Sequence, residues 1–334
     1  MQDLQDAKTL VRAHYTALDS ADLNQIENTL AARLSPTCHW RGFHPFNEQS
    51  GPAAIAATFW GPVRAALSAV QRREDVFFAG YSGIDGSDGV WVVSMGHLMG
   101  LFDAPLLGIP ATRKLAMLRY CEFNRVENGK IVETAMYCDL LHLMRQAGIV
   151  RFPDQTAQHL VQPGPRDHSG LLTSAQDPAE AAHTLQLINR MIGAIDDANA
   201  DPEARTPREE MAVCWHENML WWGPEGIGAT YTIDRYIEQH QGPFRRGLAD
   251  RAFNGHVARL AEGNFGGFFG WPNLTLTNTG GFMGIPANDV RADMRVIDIY
   301  RREGDKLAEN WIFIDMLHFL LMQGVDVLAE LNQK

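Results

Sequence analysis

The chain has 334 residues, 46% of them hydrophobic and 21% charged, with 30 Gly and 16 Pro. That is about twice the length of one ordinary domain, in a globular composition that excludes disordered, collagen-like and coiled-coil chains. A net charge of −11, with no basic cluster interleaved with aromatics, argues against a nucleic-acid partner.

In chain order, Asp3 to Leu18 reads as an amphipathic helix, with Leu4, Ala7, Leu10, Val11, His14, Ala17 and Leu18 at helical spacing. A second helix, Leu23 to Leu34, stops at Ser35-Pro36. A third covers Ala53 to Gln71. Extended runs follow at Asp75–Tyr81, Gly89–Met99, Leu115–Val126 and Lys130–Cys138, with Asn128-Gly129 as a hairpin turn between the last two. A short helix, Leu140–Gln146, ends at Gly148. Helices followed by an antiparallel meander predict an α+β fold. Residues 151–176, rich in Pro and polar residues, predict a linker between a first domain, 1–150, and a second, 177–334, that restarts at Asp177-Pro178.

The second domain repeats the first. LLGIPATRKLAMLRYCEFNRVENGKIVETAMYCDLLHLMRQAGI (106–149) aligns without a gap to 282–325, an offset of 176. Arg119 then falls on Arg295, Glu122 on Asp298, Asp139 on Asp315 and His142 on His318. Upstream, GPVRAAL (61–67) meets GPFRRGL (242–248) at an offset of 181, which brings Trp40 onto Trp221 and His97 onto Asn278. The difference predicts a small insertion in the first half near Phe102–Leu106.

Alternation on the last strand of each half places Tyr137 with Asp139, and Trp311 and Phe313 with Asp315. On a concave face, a carboxylate at the end of an aromatic wall is a candidate general acid or base. The same aspartates suit N-caps of the helices that follow, and both readings stand. His97 and Asn278 are candidate donors to a developing oxyanion; Trp40 and Trp221 are candidate pocket walls. Arg119 with Glu122, and Arg295 with Asp298, read as ion pairs within the sheet. The D-x-x-H spacing of Asp139/His142 and Asp315/His318 offers two ligands where a zinc site needs at least three. Cys38, Cys121, Cys138 and Cys214 lack CxxC spacing, so neither zinc nor a disulfide framework is expected. Dinucleotide, P-loop and nucleophile-elbow motifs are missing. The polar start MQDLQDAKTL, and the charge within 311–328, predict a cytoplasmic protein with no membrane partner.

The runs TLTNTGGFMGIPAN (275–288) and RVIDIYRREGDKLAENWIFID (295–315) resemble the signature of SnoaL-like polyketide cyclases, in which a G-x-H strand and a G-I-P turn precede a D-I-x-R hairpin and a strand ending in W-x-x-x-D. GHLMG (96–100), GIPAT (108–112) and YCD (137–139) match more loosely. The resemblance implies two tandem cone-shaped α+β barrels, each a curved antiparallel sheet wrapped by about three helices around an apolar pocket. It also implies ring closure of a polyketide-like or other carbonyl-rich small molecule by aldol chemistry without metal or organic cofactor. Asp139 and Asp315 would be the acid/base and His97 the pocket histidine, with Asn278 as its weaker counterpart. By the same analogy the halves pack as an intramolecular pseudo-dimer. Two alternatives fit the same fold: a non-catalytic binding or assembly module, and an ester or epoxide hydrolase.

Overall fold

The structure is a computed structural model that describes residues 3–84, 86–87, 89–151, 155–201 and 203–332. Phe152, Pro153 and Asp154 of the predicted linker, and Asp85 and Asp88 between the first two extended runs, lie outside the described residues.

The N-terminal helix, Leu4–Ser20, starts where Asp3 accepts hydrogen bonds from the Gln5 and Asp6 amides, and it buries Ala7, Val11, Tyr15 and Leu18 on one face. Leu23–Gln25 and Ile26–Arg33 form the second helical stretch. The third is shorter than its sequence suggests. Helix ends at Ala66, and an extended strand begins at Leu67. The ambiguous LSAVQ run has β-sheet partners, and tertiary pairing overrides its weak helical pattern.

Six strands make the first sheet: β1 (Leu34–Gly42), β2 (Glu48–Ser50), β3 (Leu67–Tyr81), β4 (Val90–Phe102), β5 (Leu115–Glu127) and β6 (Lys130–Cys138), in the order β2-β1-β6-β5-β4-β3. The second sheet holds β7 (Trp215–Trp222), β8 (Ala229–Tyr231), β9 (Leu248–Phe253), β10 (Ala258–Glu262), β11 (Phe265–Asn278), β12 (Arg291–Glu303) and β13 (Lys306–Ile314). Its order is β10-β11-β12-β13-β7-β8, with β9 also on β11. The two sheets follow one plan and are α+β with several helices each. Each departs from a purely antiparallel sheet at one place, because β1 runs parallel to β6 and β7 parallel to β13. Asn128 (φ 49°) and Gly129 (φ 70°) form the β5–β6 turn, a left-handed pair that Asn-Gly adopts at low cost.

Register relocates the insertion. Leu67 pairs with Phe102, as Leu248 pairs with Asn278. The extra residues of the first half therefore lie before β4, in the β3–β4 hairpin, and not at Phe102–Leu106. Asn278 thus corresponds to Phe102. The position facing Arg295, equivalent to that of His97 opposite Arg119, falls in a bulge between Gly270 and Leu274.

The convex faces of the two sheets meet. Phe269 packs on Trp91 and Phe123, with ring centroids 5.4 and 5.2 Å apart. The Arg119 guanidinium lies 3.9 Å over Phe313, and that of Arg295 lies 3.8 Å over Trp271. At the sheet edge Gly80 lets β3 approach β10: a Cβ there would stand 2.9 Å from the Ala261 carbonyl oxygen. Among the described residues no helix is long and apolar enough to cross a membrane.

Candidate active site

The concave face of the second sheet carries a cavity of about 310 Å³. Strand alternation supplies Val296, Asp298 and Tyr300 from β12 and Asn310, Ile312 and Ile314 from β13. The helix Pro178–Ala200 closes it with Met191, Ile192 and Ile195, and Trp221 and Phe253 complete the apolar wall. A second hollow of about 430 Å³ lies against the Gly280–Pro286 turn; its lining includes one titratable side chain, His240, which it shares with the first. The chemistry is concentrated in the first.

Asp298 sits between Phe268 and Ile312 on the neighbouring strands. Burial pushes its carboxyl up to about 7, although hydrogen bonds from Asn310 and the adjacent Tyr300 favour the ionised form. The Asn310 Nδ2 donates to Asp298 Oδ1 at 2.9 Å and to the Ile299 carbonyl at 3.0 Å, which fixes the amide. A carboxyl in an apolar wall that exchanges its proton near neutrality can serve as either acid or base.

Two more polar groups face the same space from the π-helix Ile237–Gln241. His240 stacks on Trp221 at 4.0 Å, and burial lowers it to about 3, so the ring is neutral. His240 Nδ1 and Gln241 Oε1 are buried without a hydrogen-bond partner. A buried polar group left so costs about 1–3 kcal/mol.

The first half fills the corresponding space. Ala69 (φ 50°) and Asp250 (φ 49°) mark the same left-handed step near the start of β3 and β9. Three residues later stand Arg72 and Phe253 respectively. The Arg72 guanidinium lies 4.0 Å over Tyr15, 5.1 Å from Tyr120 and 5.4 Å from Trp60. It stands 3.8 Å from Glu122, the counterpart of Asp298. Asn124 donates to the Tyr15 hydroxyl and accepts from Thr134, so polar side chains occupy the floor of this cup.

The residues singled out by sequence scatter over three places. Trp221 lines the cavity, whereas Trp40 is buried in the first half against Phe59. Tyr137, Trp311 and Phe313 do alternate with the two aspartates, but their face is the convex one, toward the other half and the linker: the Tyr137 hydroxyl donates to the Gly270 carbonyl at 3.4 Å, and the Trp311 indole donates to that of Pro163 in the linker at 2.9 Å. A one-residue choice of parity exchanges the whole set. Asp139 accepts from the His142 amide and, across the interface, from the Glu225 amide, each at 2.9 Å. Asp315 accepts from the His318 amide at 3.2 Å and the His44 amide at 2.9 Å, and it faces Arg295 at 3.2 Å. Burial pushes Asp315 up to about 6, with Arg295 and the two amides opposing. His97 belongs to the same convex face, opposite Arg119 and 3.4 Å from Asp75. Asn278 braces the Gly281 turn through Pro286, Gln323 and the Gly281 amide. The predicted sheet pairs are absent: a separation of three turns Arg119 away from Glu122 and Arg295 away from Asp298. That spacing, and the place of Asp298 in the D-I-Y-R run, were the signals for the cavity carboxyl.

The family model described as SnoaL-like polyketide cyclase matches residues 8–147. No protein of curated function matches the chain. Similar solved structures include an NTF2-like protein from Burkholderia thailandensis E264, 20% identical over 44% of this chain and 99% of that one, with a TM-score of 0.32. TsrD from Streptomyces laurentii is 20% identical over 44% and 98%, at 0.34. An LEH-like epoxide hydrolase from M. tuberculosis is 15% identical over 44% and 91%, at 0.31.

Proposed function

We propose, starting from the match of residues 8–147 to the SnoaL-like polyketide cyclase family, that the chain is an acid/base enzyme whose working site is the cavity of the second half, with Asp298 as the proton carrier. The supporting observation is a carboxyl raised to about 7 by burial at the wall of a cavity of about 310 Å³. The substrate is a carbonyl-bearing small molecule. Asp298 takes a proton from the carbon next to a carbonyl, the resulting enolate attacks a second carbonyl carbon of the same molecule, and the new alkoxide receives the proton from Asp298. One C–H bond breaks, one C–C bond forms, and the carboxylate is restored. In this reading Asp139 and Asp315 hold the halves together, and the first cup, with Arg72 against Glu122, carries no chemistry.

Deuterium exchange at the activated methylene of 2-tetralone, followed by proton NMR, tests the proton-transfer step without knowledge of the natural product. The protein is expected to accelerate exchange, with the ionised form of Asp298 active, so the rate climbs as pH rises through about 7. Asp298→Asn is expected to lower the protein-catalysed rate at least about 100-fold. Undiminished exchange in that variant would remove Asp298 from the role.

A further inference from the structure

The two halves place the same π-turn over their cups and then diverge. Ala56–Trp60 and Ile237–Gln241 are both π-helical, and each runs into Gly-Pro: Phe59-Trp60-Gly61-Pro62 in one, His240-Gln241-Gly242-Pro243 in the other. Phe59 and Trp60 are apolar fill, 0% and 2% exposed. His240 and Gln241 are each 8% exposed, line the cavity, and leave Nδ1 and Oε1 without a protein partner. Native interiors satisfy nearly all such atoms, so these two orphans, with Asn273 Oδ1 on the same lining, point to a ligand that supplies the missing bonds.

The chemistry of the pair selects that ligand. An amide oxygen accepts only, and a neutral imidazole nitrogen accepts or donates according to its tautomer. A hydroxyl group can meet either atom, whereas an ether, a methyl or a bare carbonyl leaves the amide oxygen unmet. Trp221, Phe268 and Tyr300 present aromatic rings to the same cavity, whose lining also includes charged side chains such as Glu210 and Arg245. We propose that His240 and Gln241 make the second cup selective for planar, ring-containing molecules that carry a hydroxyl, a phenol or the enol form of a ketone being the simplest. This rests on the second cup being the ligand site, and it holds independently of whether Asp298 moves a proton.

The test compares 2-naphthol with 2-methylnaphthalene, equal in shape, by calorimetric titration of the whole chain. Water favours burial of the methyl over the hydroxyl, so any reversal reports hydrogen bonding in the site. The wild type is expected to bind 2-naphthol at least about tenfold more tightly. The preference should survive in Asp298→Asn and vanish in His240→Phe and Gln241→Leu, which should bind 2-methylnaphthalene at least as well as before. Equal affinities in the wild type, no binding of either probe, or a preference that persists in both latter variants overturns the inference. So does a preference that is lost in Asp298→Asn. Should those variants fail to bind either probe, the His240 Nδ1 nitrogen resonance of the wild type decides: a shift at saturating 2-naphthol upholds the assignment, and no shift refutes it. Lost 2-tetralone exchange in Asp298→Asn with intact naphthol preference separates catalysis from recognition.

Discussion

Asp298 keeps its proton up to about pH 7, whereas the ordinary value for the side chain is 3.8. Between those limits the folded chain binds one more proton than the unfolded one, so this group makes stability fall as pH rises, and its cost is complete above about 7. Asp298→Asn removes that cost. The variant is expected to match the wild type near pH 4 and to exceed it near pH 8, by up to about 4 kcal/mol, as read from denaturant midpoints. An equal gap at both pH values would show that the carboxyl is not the buried, protonated group described. The residue was legible as a member of D-I-Y-R, yet its importance was not. Composition and spacing reveal that a carboxylate exists, while its proton affinity depends on Phe268 and Ile312, brought beside it by pairing between strands. His240 and Gln241 were invisible for the same reason: a polar pair on a helix is ordinary until its partners prove to be missing.

At the level of elements, the meander and the terminal helices could be read closely. Lys130–Cys138 and Leu140–Gln146 are observed with the ends that the sequence indicates, since alternation, Asn-Gly and the Asp cap are all local. β1 and β2, like β7 and β8, escaped notice because they are short or interrupted, and their ladder partners lie far away in sequence. Asp139 illustrates the divide. Its cap on the His142 amide follows from D-L-L-H, but its bond to the Glu225 amide spans 86 positions. Each of Asp139→Ala and Asp315→Ala loses a helix cap and strands an amide of the other half. The expected cost is roughly 2–4 kcal/mol in urea unfolding, with 2-tetralone exchange per folded molecule unchanged. A large loss of exchange in the folded variants would return these aspartates to the chemistry.

Over the whole molecule, the internal repeat gave the number and likeness of the sheets, and register then showed how the copies differ. The 155–176 segment is no free tether. Leu171 bridges Phe77, Pro163 receives the Trp311 indole, and the Leu172 carbonyl accepts from Lys8 Nζ at 2.8 Å. Lys8 also meets Glu262 of the other half at 2.6 Å, with both side chains at most 3% exposed. Removing one partner of a buried pair leaves an uncompensated charge, so Lys8→Met should lower stability by about 3–5 kcal/mol, and Lys8→Met with Glu262→Gln should recover part of it. A single variant as stable as the wild type would mean that water reaches this pair. The guanidinium of Arg72 has a different kind of consequence. A side chain that occupies its own cup is an occupant at fixed concentration, so the first half draws the same support from it whatever the surroundings contain. In the proposed reading the second half draws that support from a bound molecule instead, so its resistance to unfolding would rise with the concentration of that molecule. One copy thus carries permanent ballast, and on the proposed reading the other would tie the stability of the chain to its ligand.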